Sequence, residues 1–227
     1  MTRILVTGDL HGNRSWYRYL RSRASAFDAV VITGDLIDQG IGDEADWRRE
    51  AAWVLRWIAH FPSPQTRLFL VTGNHDWWPG DGPLDEGRWL QRARRTGVAV
   101  DGDWARLGAW DFFCAPWGDP PPARVDRRFV WIVHTPPART LLSLTPSGTD
   151  GGDELVRLAA EAFPGGGLIL SGHVHSPVRH REKVGAFTGF NAGCSVTGAM
   201  PAHLVVDFTA RSAWRITDGH RQRLGGF

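Results

Sequence analysis

Cysteine is scarce in this chain. The 227 residues hold two, Cys114 and Cys194, too few and too far apart for a disulfide framework or a zinc ribbon. Their neighbours, FFCAPW and NAGCSV, read as apolar surroundings that would bury a small hydrophobe. An excess of one charge is lacking as well: 26 Lys and Arg stand against 24 Asp and Glu, a net charge of +2. That balance gives no electrostatic case for a membrane surface and argues against duplex nucleic acid as a partner. Lysine is all but absent, Lys183 being the only one, so the basic side chains are nearly all arginine. No apolar run approaches the roughly 20 residues of a membrane-spanning helix. The opening MTRILVTGD enters a strand-like run without a signal-type apolar region, and a cytoplasmic protein is the expectation. Linkers, internal repeats and low-complexity tracts are missing too, so residues 1–227 read as a single domain with ample length to bury a core.

What is present is a series of short aliphatic runs: Ile4–Val6, Ala29–Ile32, Leu68–Val71, Phe129–Val133, Leu168–Leu170 and Leu204–Phe208. Their length and flanking glycines favour buried strands over helices. Residues 43–60 place Trp47, Ala51, Val54, Leu55 and Ile58 on one helical face. Residues 153–163 open with Asp153 and Glu154 and stop before Pro164-Gly165-Gly166-Gly167, which marks a helix at both ends. The early strand–helix alternation indicates βαβ units in an α/β fold. Segments 105–115, 184–191 and 203–217 read as antiparallel pairs, and Pro120-Pro121-Pro122 and Pro136-Pro137 as loops.

Five polar turns follow or close these runs: TGDLHGN (7–13), GDLID (34–38), GNHD (73–76), VHTPP (133–137) and GHVHS (172–176). Strand ends are where the loops of an α/β sheet gather into a site. Taken singly, a Gly-Asp turn is a common turn former or helix cap, and a lone histidine is more often a satisfied core residue. Taken together the turns offer Asp9, His11, Asp35, Asn74, His134, His173 and His175. These are oxygen and imidazole donors without a thiolate, suited to Mn²⁺, Fe or Zn²⁺ rather than to a soft metal or Ca²⁺. Seven donors exceed one tetrahedral ion and suit two metals that share a carboxylate.

The order D-x-H, GDxxD, GNH(D/E), H and GHxH resembles the calcineurin-like metallophosphoesterase superfamily. Here it reads Asp9-Leu10-His11, Gly34-Asp35-Leu36-Ile37-Asp38, Gly73-Asn74-His75-Asp76, His134 and Gly172-His173-Val174-His175, within a likeness that runs from residue 4 to about 193 and ends at Phe190-Asn191-Ala192-Gly193. The resemblance implies a four-layer α/β/β/α sandwich of two mixed β-sheets with helices outside. It implies two divalent transition metal ions, Mn²⁺ first with Fe or Zn²⁺ as other occupants. One would be held by Asp9, His11, Asp35 and His175 and the other by Asp35, Asn74, His134 and His173, with Asp35 bridging. A water shared by the ions is then the nucleophile at phosphorus. His75, one position after Asn74, is the implied general acid, and Asp38 the carboxylate that pairs with it and stabilises its charged form. Asp76 is left as a structural residue.

Charge counting bears on the substrate. Two dications add four charges, Asp9 and Asp35 remove two, and a bridging hydroxide one more, leaving about +1, matched to a phosphodiester monoanion or a phosphoryl transition state, whereas a dianionic monoester would benefit from a guanidinium clamp. The Ser/Thr protein phosphatases of the superfamily read GDxxDRG and lack the second histidine of GHxH, whereas this chain has Gln39 after Asp38 and an intact GHVH. The chain thus looks more like the small single-domain phosphodiesterases, a similarity shared by APWG (115–118) and HTPP (134–137), with a small phosphodiester or nucleotide as substrate. A phosphomonoesterase resembling those phosphatases and a non-catalytic metal-binding scaffold are the alternatives. Trp77, Trp78 and Trp117 adjoin motif loops and read either as walls of a pocket for a base or aromatic leaving group or as core. Arg179 and Arg181 follow GHVHS and read as solvated strand charges before phosphate contacts. His60, His180, His203 and His220 have no motif context. Specificity is expected in the loops 77–88, 116–127 and 135–152.

Overall fold

The computed structural model of the chain describes residues 2–61, 65–78, 88–119, 121–122, 125–195 and 197–227. In chain order the first elements are β1 (Arg3–Thr7), α1 (Arg14–Arg23), β2 (Ala29–Ile32), α2 (Glu44–Ala59), β3 (Arg67–Leu70), β4 (Val98–Ala99), β5 (Trp104–Leu107) and β6 (Trp110–Cys114). There follow β7 (Phe129–Ile132), α3 (Glu154–Ala162), β8 (Gly167–Ser171), β9 (Arg181–Val184), β10 (Phe187–Asn191), β11 (His203–Asp207), β12 (Ser212–Thr217) and β13 (His220–Gly226). A seven-stranded sheet runs β13-β12-β11-β1-β2-β3-β4, and a six-stranded one β5-β6-β7-β8-β10-β9. Both are mixed. Strands β1 to β4 are parallel in the first sheet and β6, β7, β8 and β10 in the second, with antiparallel strands at the flanks.

The continuous apolar character of the central strands follows from burial on both faces, since alternate side chains leave a strand in opposite directions. Ile4 and Val6, Ala29 and Val31, and Phe69 and Val71 pack between the sheets against Val130, Ile132, Leu168, Leu170 and Phe190. The intervening Leu5, Val30, Ile32, Leu68 and Leu70 turn outward and meet Trp16, Tyr17 and Leu20 of α1 and Ala51, Val54, Trp57 and Ile58 of α2. On the far side Phe129, Trp131, Ile169 and Phe187 meet Val156 and Ala160 of α3, and Phe163 just beyond it. Each such aliphatic or aromatic side chain contributes roughly 1.5–3 kcal/mol when fully buried. The layers are therefore α/β/β/α, the architecture the resemblance implied.

Helix ends are capped by side chains. Asn13 accepts from the N–H groups of Ser15 and Trp16 at the start of α1, Asp43 forms a capping box with Asp46 at α2, and Asp153 accepts from Leu155 and Val156 at α3. Helix α1 and strands β4 and β13 were not anticipated, and β9 begins three residues before the pair expected at 184–191; the other helices and antiparallel pairs fall where the sequence pattern put them, within a residue or so at their ends. Among the described residues no helix is long and apolar enough to cross a membrane. In both sheets the parallel strands deliver their C-terminal ends to one edge, where the turns after β1, β2, β3, β7 and β8 meet: Asp9 N–H donates to Gly34 O (3.0 Å) and Gly172 N–H to His134 O (2.9 Å).

Candidate active site

The backbone of these turns is strained where the candidate donors sit. Asp9, His11, Asp35 and His173 all have positive φ, between 43° and 65°, a conformation that costs a non-glycine residue on the order of 1 kcal/mol or more. Hydrogen bonds between turns hold it in place: His11 N–H to Asp35 O (2.9 Å), Gly12 N–H to Leu36 O (3.0 Å) and His173 N–H to Asp9 Oδ1 (2.9 Å). Glycine before Asp35 and before Asn74 has a steric reason. A Cβ on Gly34 would lie 2.4 Å from His134 Nδ1, and one on Gly73 would lie 2.2 Å from Asp35 Oδ1.

The seven donors fall into two groups. In the first, His11 Nε2 is 3.3 Å from His175 Nε2, His175 Nε2 is 3.6 Å from Asp9 Oδ1, and His11 Nε2 is 3.8 Å from Asp35 Oδ2. In the second, Asn74 Oδ1 lies 2.9 Å from both His134 Nε2 and His173 Nδ1. Those two nitrogens are 3.2 Å apart, and His134 Nε2 is 3.4 Å from Asp35 Oδ1. Asp35 thus turns one oxygen to each group. Two imidazole nitrogens bound to a common ion at about 2.1 Å lie roughly 3.0–3.4 Å apart, for angles from a right angle to tetrahedral. The two imidazole pairs, His11 with His175 at 3.3 Å and His134 with His173 at 3.2 Å, fit that geometry.

Electrostatics point to cations as well. Asp9 and Asp35 are 0% and 2% exposed, and among the described residues they pair with imidazoles and with no arginine or lysine. Asp9 Oδ2 and His11 Nδ1 are buried without a hydrogen-bond partner. A buried, unpartnered carboxylate oxygen is costly unless a positive charge faces it, so the donors present fit two divalent ions. Burial works against the charge of both Asp35 and His134. Their mutual attraction wins in each, holding the Asp35 carboxyl well below the usual range and lifting the His134 imidazole above its own. His134 Nδ1 donates to Thr33 O at 2.7 Å, which fixes the tautomer and aims Nε2 at the cluster. Burial lowers His11 and His173, and the Asp9 contact raises His175.

His75 stands beside this cluster. Its ring is edge-on to that of His11 with centroids 4.7 Å apart, its N–H donates to Asp35 Oδ1 (2.9 Å), and its Nδ1 is 3.0 Å from Asp38 Oδ1. Asp76 has a structural task, as the sequence reading assigned it. Fully buried, its carboxylate accepts from the N–H groups of Leu36 (3.1 Å), Ile37 (2.9 Å) and Gly73 (2.9 Å), stapling the GDLID turn to the GNHD turn.

Several supporting residues escaped the sequence reading. Glu50 of α2 accepts from Asp38 N–H (3.1 Å), yet a glutamate on a helix surface reads as solvated. Asp101 accepts from both the N–H and the hydroxyl of Thr72 (2.9 Å each), and nothing in VDGD signals it. The Asn191 amide reaches the carbonyls of Gly172 (2.9 Å) and Val174 (3.2 Å) and accepts from Gly193 N–H (2.8 Å), bracing the GHVH turn. Only the position of Asn191 at the end of the resemblance hinted at this.

Other candidates divide. Trp78 is core, 1% exposed, whereas Trp77 and Trp117 line a cavity of about 530 Å³. Arg181 is spent on Gly226 O and Arg179 is exposed; neither meets the donor cluster. His60, His180 and His203 turn Nδ1 to main-chain carbonyls, and His220 is exposed on β13. Cys114 is buried as expected, but Cys194 is only partly so, its sulfur 3.5 Å from Asp9 O; the polar turn around Asp9 keeps it from being a plain core residue. Residues 79–87 of the loop 77–88, and Pro120, Ala123 and Arg124 of the loop 116–127, lie outside the described residues.

Comparison with known proteins decides the family, with a match to calcineurin-like phosphoesterases over residues 2–177. The chain belongs to that family. It is 27% identical over 212 residues to a UDP-2,3-diacylglucosamine hydrolase of Azotobacter vinelandii, covering 81% of this chain and 86% of that one. In fold it is similar to TT1561 of Thermus thermophilus, with a TM-score of 0.65 at 14% identity, covering 95% of this chain and 98% of that one. It is also similar to an archaeal phosphodiesterase, with a TM-score of 0.54 at 15% identity, covering 95% and 99% of the two chains. Membership makes this chain a metallophosphoesterase, a family that works with divalent metal ions, and its His and Asp clusters are the candidate ligands.

Proposed function

We propose that the chain, acting as one catalytic unit over residues 1–227, hydrolyses phosphodiesters at a dinuclear metal centre. Asp9, His11, Asp35 and His175 hold one ion and Asp35, Asn74, His134 and His173 the other. The observation that carries this reading is the pair of donor groups sharing Asp35, with the orphaned Asp9 Oδ2 buried among them. Two divalent ions, Mn²⁺ as first choice, supply an acidified water and charge neutralisation at phosphorus.

The chain's own residues do the rest. Thr33 O fixes the His134 tautomer. Asp38 holds His75 Nδ1, which leaves His75 Nε2 to deliver a proton to the departing ester oxygen. Asp76 and Glu50 lock the turns that carry Asp35 and Asp38. A diester is favoured over a monoester because a dianionic phosphate calls for a guanidinium clamp. The position after Asp38, where the Ser/Thr phosphatases carry that arginine, holds Gln39. The related hydrolase named for a UDP-linked compound supports a nucleotide-type substrate.

The test is hydrolysis of bis(p-nitrophenyl) phosphate against p-nitrophenyl phosphate by chelator-stripped protein, with and without Mn²⁺. Mn²⁺-dependent turnover favouring the diester is expected. A preference for the monoester would move the assignment to a phosphatase, and no turnover of either with metal bound would reduce it to metal binding.

A further inference from the structure

The cavity of about 530 Å³ beside the donor cluster has no part in the scheme above. It opens next to the second donor group: the Trp117 ring lies 5.6 Å from that of His134 and 6.0 Å from that of His173. Trp77, two residues after His75, forms part of the same lining and is 39% exposed. Its size is in the range of a small-molecule site, about 300–1,000 Å³. The rest of the lining is mostly polar, with Arg88, Gln91, Asp101 and Asp119 among it.

That combination discriminates between ligands. An acyl chain wants an apolar lining throughout, and here it would strip water from carboxylates and an amide without replacing their hydrogen bonds. A flat heteroaromatic ring with donors and acceptors on its edge suits both halves, the indole side chains for its plane and the polar groups for its edge. Asp101 is held rigid by Thr72, the residue just before Gly73-Asn74, and Gln91 donates to Asp101 O at 3.0 Å. The polar side of the cavity is thereby tied to the turn that carries Asn74.

We infer that this cavity is a nucleoside subsite, in which the base of a nucleoside ester lies against Trp77 and Trp117 while its phosphate reaches the donor cluster. The inference rests on the diester reading given above and names its substrate class.

It is tested with Mn²⁺-loaded protein on thymidine 5′-(p-nitrophenyl phosphate) and methyl p-nitrophenyl phosphate, which share a leaving group and differ in the nucleoside. The nucleoside diester is expected to show at least about a ten-fold higher kcat/KM, mostly through KM, as base stacking on an aromatic ring supplies. In Trp77→Ala and Trp117→Leu that ratio collapses toward one; Trp77 is exposed enough to be replaced without disturbing the core. Turnover of both diesters at equal efficiency would overturn the nucleoside subsite and leave the diester reading standing. Turnover of neither would sink the diester reading. Equilibrium dialysis of thymidine 5′-monophosphate against methyl phosphate then decides the subsite: tighter binding of the nucleotide, lost in both variants, upholds it, and equal binding overturns it.

Discussion

Asp76 makes a prediction that can be worked from the structure. Its carboxylate is fully buried and accepts three main-chain N–H groups, with Oδ2 taking those of Leu36 and Gly73 and Oδ1 that of Ile37. Hydrogen bonds to a charged group are worth roughly 1.5–3 kcal/mol each, and a stranded donor costs a similar amount. Opposing this, burial first and the nearby Asp35 charge second push the Asp76 carboxyl above the usual range, so removing its charge returns part of the loss. Asp76→Ala should therefore destabilise the metal-stripped protein by roughly 3–5 kcal/mol. Asp76→Asn is a graded control. Its amide oxygen can keep the Leu36 and Gly73 donors, while its NH₂ group then faces Ile37 N–H, so roughly 1–3 kcal/mol is expected. Urea unfolding followed by tryptophan fluorescence measures both, with unchanged m-values required for the comparison. An alanine variant within about 0.5 kcal/mol of the parent would refute the staple, as would an asparagine variant that costs as much as alanine.

Burial pushes the Asp101 carboxyl up to about 7, against the opposing pull of its Thr72 bonds. A raised carboxyl pKa stabilises the fold at low pH, and this contribution is lost as pH rises from about 4 through about 7, at no more than about 1.4 kcal/mol per pH unit. In Asp101→Asn the amide can still accept from Thr72 N–H and can donate to its hydroxyl, so the variant should fold and its urea midpoint should vary less over that window. His75→Ala should retain the parent's metal content by elemental analysis but lose about 10²–10³ in kcat on a diester with a poor leaving group, and less with p-nitrophenol; equal losses on both would remove His75 from the role of acid. In the metal-free protein the Asp35 contact raises the pKa of His134 despite its burial. Metal uptake should then release protons and weaken as pH falls, which calorimetry in buffers of different ionisation enthalpy detects; uptake independent of pH would contradict it.

The central strands were legible because burial on both faces leaves an unmistakable aliphatic run, as in Ala29–Ile32 and Phe129–Ile132. The pairing of two sheets came from the family resemblance and not from any pattern in the residues. Helix α1, RSWYRYLRSR, was missed because its buried stripe is only Trp16, Tyr17 and Leu20 amid arginines. Strand β13, HRQRLGG, carries no buried residue, and its place depends on main-chain pairing with β12. At the site, residue types and order were readable because each donor follows a strand. The positive φ of Asp9, His11, Asp35 and His173 was not, since these types give no sign of it. Nor were Glu50 and Asp101, whose contacts to Asp38 and Thr72 are set by packing between distant segments. The Trp77–Trp117 wall was one of two readings, and three-dimensional position separated it from Trp78 in the core.

The most direct test of the account is the number of metal ions the chain holds. Stripped protein titrated calorimetrically with Mn²⁺, and checked by elemental analysis after gel filtration, should bind two ions per chain, because Asp35 offers one oxygen to each donor group. A stoichiometry of one, or none, would contradict a dinuclear centre on these seven residues.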